Sequence, residues 1–546
     1  IKDINSFRPD AIAENVPALK ELLDVKELLA SMKDNKLTQE EIQSRLERSI
    51  IGAEIMSRVK SILFTPTATE APKKEEKAAS DSALLVPPSN GRTDDDLFNI
   101  VEVTEQTSLV PPSNGRTETL SSYSVGNALD RIISMLTSAG KDFSSIDRRA
   151  IDSATKELDG VISAQVNEIL HHDEFRRLES SWRGLKFLID RTDFRENIQI
   201  EVISAPKQNL LEVFHERVYQ PEYNDEMEFP LSVVIADYGF DNSIPDIELL
   251  LKLSNDLDEI QIPLISSVNS EFFGISVAND INTLPYLKEV FGGSEYVKWR
   301  GFRETPSARW ITLAFNRFLL RLPYGKENRI KRCEFNEKAM SFLWGSPVWM
   351  LGSLMTASFA GIGWATEITG TKNGTIENLP VRELTLKSGE KTFVPLEAYL
   401  SMQLAGDIAD NGIVAWTCRP NFDSATVTTV PTAYLPTKYG DQRSTEDSIL
   451  FAALQYQLLV SKIAHYVRLI QERIVPGNNP QGIEEKFTDA LIRFISIKGR
   501  SAIDAVQVKV TPDKDKQIFD IGLYIRPGRE ILGGMAYVEL HLPIRL

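Results

Sequence analysis

Three runs near the end of the chain alternate apolar and polar residues so strictly that few folds accommodate them. Val506, Val508 and Val510 form the first, Phe519, Ile521, Leu523 and Ile525 the second, and Ala536, Val538, Leu540 and Leu542 the third. Successive side chains of a strand point to opposite faces, so each run reads as a strand with one buried face. Charged or Pro/Gly turns between the runs give an antiparallel meander. Three strands leave two edges with unpaired backbone groups, a liability unless another chain fills them.

Upstream, Ser444 with Asp447 forms a capping box, and residues 448–475 read as a long helix stopped by Pro476 and Gly477, with a second helix over 483–497. In the middle of the chain strand-like runs (198–203, 231–236, 263–268 and 310–315) alternate with helical ones (209–219 and 246–260). That alternation predicts an α/β sandwich, helices covering a parallel or mixed sheet. Residues 341–366 read as a buried helix or pair of helices, and turn-rich β structure follows to about residue 437. At the other end, Leu19, Leu22, Leu23, Leu28, Leu29 and Met32 recur at helical spacing, and Thr38 with Glu41 opens a second helix whose face is Ile42, Leu46, Ile50 and Ile55. Leu129, Ile132, Ile133 and Leu136 mark a further helical face within residues 119–190. The expected class is α/β (mixed α+β) in four parts: a helical segment 1–63, a linker and arm 64–118, an α/β body 119–440, and a domain 441–546 with the long helix and the meander.

At 546 residues, about three to four domains are expected. The net charge of −16 argues against nucleic acid as a general partner. Two cysteines, Cys333 and Cys418, cannot staple a chain of this length, which points to a reducing compartment. No signal peptide is visible in residues 1–14, which are charged throughout. The uncharged stretch between Lys338 and Glu367 is long enough to span a bilayer, yet its Gly, Pro, Ser and Thr content favours a buried core helix. Residues 65–96 are polar, charged and poor in aromatics, a flexible linker. The nonapeptide LVPPSNGRT occurs twice, at 85–93 and 109–117, and either duplication or the joining of separate pieces accounts for the identity.

Motifs that carry chemistry are missing. There is no Walker A loop, HExxH, paired CxxC or kinase signature. Gly361 and Gly363 lack the third glycine of a dinucleotide fingerprint, and Gly274–Ala278 lacks the second glycine of a nucleophile elbow. His171 and His172 point about 100° apart on a helix and cannot share one metal ion, so a helix end is the simpler reading. His465 falls mid-helix among Ile463, Tyr466 and Leu469, where a hydrogen-bonded packing histidine is the commoner case. No catalytic, cofactor-binding or metal-ligating residue is assigned.

Residues 294–325 interleave Arg300, Arg303, Arg309, Arg317 and Arg321 with Trp299, Phe302, Trp310, Phe315 and Phe318, as in a packed subunit surface. Trp182, Trp299 and Trp310 are expected to be packing anchors. This stretch closely resembles one in the large subunit of the contractile sheath of bacterial type VI secretion systems (the TssC or VipB family). ILHHDEFRRLESSWRGLKFL at 169–188, IADYGFDNSIPDIELL at 235–250, FLWGS at 342–346 and KIAHYVRLI at 462–470 resemble the same family in the same order. Residues 4–32 instead resemble the C-terminal part of the small sheath subunit (TssB or VipA), normally a separate chain. A fusion and two chains numbered as one both fit.

The resemblance implies a structural subunit, not an enzyme, in a cytoplasmic tubular sheath that surrounds an inner tube of stacked hexamers and contracts to drive it into a target cell. It implies an obligate heterodimer with the small subunit, self-assembly into a helical sheath, a baseplate, an AAA+ unfoldase that recycles the contracted form, and no cofactor or membrane insertion. It also implies strand exchange between protomers, for which Val506, Val508, Val510, Phe519, Ile521, Leu523, Val538 and Leu540 are the candidates. Lys462 and Arg473, eleven residues apart on one face of the long helix, are the candidates for contact with the inner tube. A phage-tail or tailocin sheath, and an uncharacterised soluble α/β enzyme, are the alternatives.

Overall fold

The computed structural model describes residues 3–34, 41, 44–45, 51, 130–134, 136–137, 148–224, 226–227, 229–325, 328, 330, 335–337, 341–385, 389–474, 479–513, 518–532 and 538–545. Thr38, Ile42, Leu46, Ile50, Ile55, Leu129, Cys333, the linker and both copies of the nonapeptide lie outside these residues. Contacts divide the chain into two compact units, residues 1–176 with 324–339 and residues 177–323 with 340–546.

In the first unit, Pro9 and Pro17 open α1 (Pro9–Asn15) and α2 (Pro17–Lys33). Proline suits the first helical position because its missing N–H would have no partner there anyway. The stripe of α2 read from the sequence is buried, with Val25 added, against α3 (Arg148–His171), which buries Ile151, Leu158, Ile162 and Val166. Ile132, Ile133 and Leu136 join the same core. Lys26 and Asp159 bridge the seam at 2.5 Å. His171 ends α3, its Nδ1 2.7 Å from the Asn167 carbonyl and its Nε2 3.3 Å from Glu337. α4 (Asp173–Asp190) starts two residues later.

The second unit is built on a six-stranded sheet. Its strands are β1 (Val234–Phe240), β2 (Leu264–Val268), β3 (Ile311–Phe315), β6 (Thr375–Ile376), β9 (Ile413–Cys418) and β10 (Ala425–Val427), in the order β1–β2–β3–β9–β10–β6. The first four run parallel, and β10 and β6 are antiparallel additions. Two small hairpins, β4 (Phe318–Arg321) with β5 (Leu343–Gly345) and β7 (Arg382–Thr385) with β8 (Lys391–Val394), lie outside it. β2, β3 and β9 are buried along their whole length, as strands covered on both faces must be. Ile311, Leu313 and Ile413 face one core with Leu250, Leu253 and Leu257 of α5 (Ile244–Ile260). Ala314, Val414 and Trp416 face the other with Leu351, Leu354 and Met355 of α7 (Val348–Ile362). α6 (Val297–Arg303) and α8 (Met402–Asp410) complete the first layer. α7 is the expected buried helix, and α4 passes it closely: a Cβ on Gly184 would lie 2.2 Å from Nε1 of Trp349. No helix among the described residues is long and apolar enough to cross a membrane.

Four local expectations are corrected. Residues 198–203 form no strand, and β1 begins at Val234 and runs to Phe240 instead of spanning 231–236. The long helix is broken: α9 (Gln442–Phe451) is followed by α10 (Leu454–Ile474). Asp441, not Ser444, caps α9, accepting from the Ser444 N–H at 2.8 Å. The break is stabilised from outside, because Thr432 N–H donates to the Ala452 carbonyl and Leu454 N–H to that of Val430. α11 (Pro480–Phe494) then leads into β11 (Ile503–Asp513), β12 (Ile518–Pro527) and β13 (Val538–Arg545), an antiparallel meander in sequence order. The mixed α/β class read from the sequence is the observed one.

Candidate assembly surfaces

The Trp/Arg-rich stretch turns inward. Trp299 and Trp310 are 0% and 1% exposed, and Trp299 meets the edge of Phe272 at 5.1 Å. Its arginines wire the body together. Arg303, 6% exposed, donates to the carbonyls of Ala433 and Asp410. Burial pulls its guanidinium down to about 10. Arg321 grips Glu179 at 2.8 and 3.1 Å, and Arg183 joins the same carboxylate at 2.7 Å. The aromatic residues of the stretch are core, while Arg309 and Arg317 stay at the surface. Trp182 departs from the expectation in the opposite direction: it stands 49% exposed on α4, because the face of that helix toward the body is taken by Glu179, Gly184 and Leu188.

Ligands of open parallel sheets bind beyond the carboxyl ends of the strands. Here the chain itself occupies that place. Lys207 donates to the Gly239 carbonyl at 2.9 Å and to Asp246 at 2.7 Å. Asn316, at φ 104 just past β3, donates to the Ala398 carbonyl at 2.6 Å and accepts from the Ala398 N–H at 2.9 Å. Two surface clefts of about 610 and 950 Å³ lie elsewhere, and neither is lined by a histidine, cysteine or serine. Burial pushes the Cys418 thiol up to about 12, which leaves no nucleophilic thiolate at neutral pH. Among the described residues no cluster of His, Cys, Asp and Glu could hold a metal ion.

The C-terminal sheet is different. Its candidates line up in rows across three strands: Val506 with Ile525 and Val538, and Val508 with Leu523 and Leu540. Val510 pairs with Ile521, and Phe519 with Pro512. The row residues Val508, Leu523, Ile525 and Val538 are buried, whereas Gln507, Lys509, Tyr524 and Arg526 between them are exposed. One face therefore packs on α11, whose Ile483, Phe487 and Leu491 are buried, and the other faces out. β11 and β13 are the outer strands, with no further strand beside either among the described residues. One rung of the β11 edge is closed internally, since Glu484 Oε1 accepts from the Val510 N–H at 2.9 Å.

Lys462 does not reach outward. Its ammonium lies 4.5 Å from the Trp364 ring centroid, 4.6 Å from Phe359 and 5.9 Å from Phe494, and donates to the Gly363 carbonyl at 2.5 Å. It thus caps the C-terminus of α7 from inside an aromatic cage. Desolvation there brings it down to about 8. The reading of Lys462 as a tube contact is corrected: the charge is spent within the subunit. Arg473, near the end of α10, is exposed. The sequence carried a signal for the cage only in retrospect, as Phe359, Trp364 and Phe494 are spread over 136 positions.

Residues 152–434 match the family VipB, described as EvpB/VC_A0108, tail sheath N-terminal domain. That is more than half of the chain. The chain belongs to the VipB tail-sheath family. Residues 1–63 match a second family, described as type VI secretion system, VipA, VC_A0107 or Hcp2. A sheath protein of Pseudomonas aeruginosa strain PAO1, the type VI secretion system sheath protein TssC1, is 27% identical over 369 residues, covering 64% of this chain and 74% of that one. The crystal structure of the sheath tail protein Lin1278 from Listeria innocua aligns at a TM-score of 0.30 and 11% identity, over 60% of this chain and 59% of that protein's length. The sheath-family chain is accordingly a structural subunit of a type VI secretion contractile sheath, and its body and its open-edged meander are parts of that protein.

Proposed function

We propose that this sheath subunit assembles with the small sheath subunit and with copies of itself around an inner tube, and contracts to drive that tube into a target cell. The observation that supports it is the C-terminal sheet, whose outer strands of eleven and eight residues have no further strand beside them among the described residues. Strands exchanged between protomers fill such edges. The proposed arm is residues 61–64 or 97–103, outside the described part of the chain. Arg473 is retained as the inner-tube contact. A baseplate and an AAA+ unfoldase are the proposed partners at the start and end of the cycle, in the cytoplasm, and the chain is not an enzyme. The work of contraction then comes from energy stored at assembly, released between two packings of the same rigid domains.

Negative-stain electron microscopy of the chain co-produced with the small subunit tests the first half, long tubes being expected and discrete particles the opposing result. Inserting two residues after Asp96 tests the second. The expected sheath assembles but stays long when released from the baseplate; ordinary contraction, or ATP turnover by the purified chain, would place the engine elsewhere.

A further inference from the structure

A sharp break in a helix has a cause: proline, glycine, a π-bulge, or a group inserted into the hydrogen-bond ladder. The break between α9 and α10 shows none of the first three. No Gly or Pro occurs from Gln442 to Ile474, and the break falls on Ala452 and Ala453, the residue type that favours helix most. Three i→i−4 bonds of a continuous helix are interrupted there, and another group takes up one end of each. The Leu454 N–H donates to the Val430 carbonyl at 3.0 Å instead of to Leu450. The Phe451 carbonyl accepts from Nε2 of the buried Gln457 at 2.7 Å instead of from the Gln455 N–H. The Ala452 carbonyl accepts from the N–H and the hydroxyl of Thr432, at 2.7 and 2.9 Å, in place of the Tyr456 N–H.

The clamp at 430–432 is anchored and α9 is not. Ala433 N–H donates to the Ile311 carbonyl at the start of β3, and Leu435 N–H to that of Arg303, which fixes the clamp to the body. Leu458, Leu459, Ile463 and Val467 of α10 are core residues, whereas no described side chain of α9 enters either apolar core of this unit. The hydroxyls of Ser448 and Thr445 accept from the N–H groups of Thr437 and Tyr439 at 2.7 and 3.0 Å, and that stretch leads directly into α9 and can move with it. Ile449, Leu450 and the break residue Ala453 line, with Val430 and Pro431, a cleft of about 950 Å³, which leaves room for α9 to swing.

We infer that residues 442–474 are a two-state helix, kinked while residues 430–432 and Gln457 hold the break and continuous when they release it, with α9 swung onto the axis of α10. The exchange is close to balanced in backbone hydrogen bonds. Each interrupted donor and acceptor has a helical partner four residues away, and the clamp's freed groups open to the cleft. Local propensity pulls toward the continuous form and the clamp toward the kinked one, the condition for a bistable element. Leu435 and Tyr439 on the clamp side and Ile449 on α9 are 42%, 55% and 55% exposed. A neighbouring copy that covers them in one packing of the proposed sheath and not in the other selects one form. This last step rests on the sheath reading above; the switch itself does not.

Spin labels on Glu446→Cys and Leu469→Cys, both exposed positions, read the two forms by double electron–electron resonance in the full chain carrying Cys333→Ser, Cys418 being buried. A continuous helix sets the pair about 35 Å apart along its axis. Gln457→Met with Thr432→Val removes two bonds that hold the break at little change of volume, and raises the population at that distance about 10-fold. Gln455→Pro does the reverse. In the kinked form position 455 lies in the first turn of α10, where proline is tolerated, and in the continuous form it lies in a helix interior, where it is not. No gain at about 35 Å in the folded double variant overturns the switch. Hydrogen exchange reads it without touching the clamp: the Thr432 amide, freed only in the continuous form, exchanges about 10-fold more slowly in Gln455→Pro, and equal rates overturn the switch as well. In assembled sheaths the label pair reads about 35 Å in only one of the extended and contracted states. The same distance in both overturns the link to contraction while sparing the sheath reading. If wild-type chain and small subunit form no tubes, the sheath reading fails, and the exchange comparison still decides the switch.

Discussion

In the six-stranded sheet β2, β3 and β9 are buried end to end, with α5 on one face and α7 on the other. In the three-stranded sheet buried and exposed positions alternate, helix covers one face, and both outer strands are long. The first draws its stability from its own chain and has little to offer a neighbour except at β1 and the two-residue β6. The second is stable enough to hold its register yet keeps hydrogen-bonding capacity in reserve. Under the proposed sheath role, rigidity would fall to the first sheet and joining to the second.

The largest expected effect lies in the closed region. Trp299→Ala removes a wholly buried indole, a loss of about 3–5 kcal/mol. Insoluble or unassembled protein is expected, and wild-type-like tubes from this variant would break the comparison. Trp182→Ala, at an exposed site, should shift stability by no more than about 0.5 kcal/mol in a denaturant titration of the chain alone. Next is Glu179→Ala, which removes the buried carboxylate that both Arg321, 7% exposed, and Arg183 grip. A cost of about 3 kcal/mol is expected, partly recovered by adding Arg321→Met.

Lys462 sharpens the boundary between the regions through pH. Its folded value, about 8, lies below the ordinary lysine value, so between the two the unfolded chain binds more protons. Stability should therefore rise as pH climbs from about 8 toward the usual lysine range, and below about 8 the full desolvation penalty is present. Lys462→Met should flatten this rise in urea titrations from pH 7 to 10; an unchanged slope would show that the cage does not desolvate the ammonium. Among the substitutions that break a named contact, the smallest effect belongs to Glu484→Ala, about 1 kcal/mol from one lost hydrogen bond. It frees the Val510 N–H, so exchange there should accelerate and self-association through β11 should increase.

The meander was legible because period two leaves a strand few alternatives, and Val508, Leu523 and Val538 fell on the buried face as alternation requires. β2, β3 and α7 were legible because elements covered on both sides carry no charge, and α5 because Leu250, Leu253 and Leu257 mark one apolar helical face. What escaped was decided by distant residues. The alternation at 198–203 is real, but a sequence does not show whether a strand has a partner. The broken helix looked continuous because residues 448–475 keep helical periodicity, while the backbone bonds from Thr432 and to Val430 that interrupt it come from another segment. Lys462 sat at a charged helical position that looked solvated, and only the fold brings the rings of Phe359, Trp364 and Phe494 around it. Trp182 was read by residue type, and residue type alone says nothing about which helix face is turned to the body.

The pairing of β11 with β12 runs over ten residue pairs and that of β12 with β13 over eight. Such ladders respond to tension according to its direction. A pull across the strands opens the rungs one after another, each bearing the whole load in its turn. A pull along the strands loads every rung at once, so rupture requires them to fail together. In the assembly proposed above, strands of this length, tugged end to end, would make a joint that yields to peeling and holds against traction.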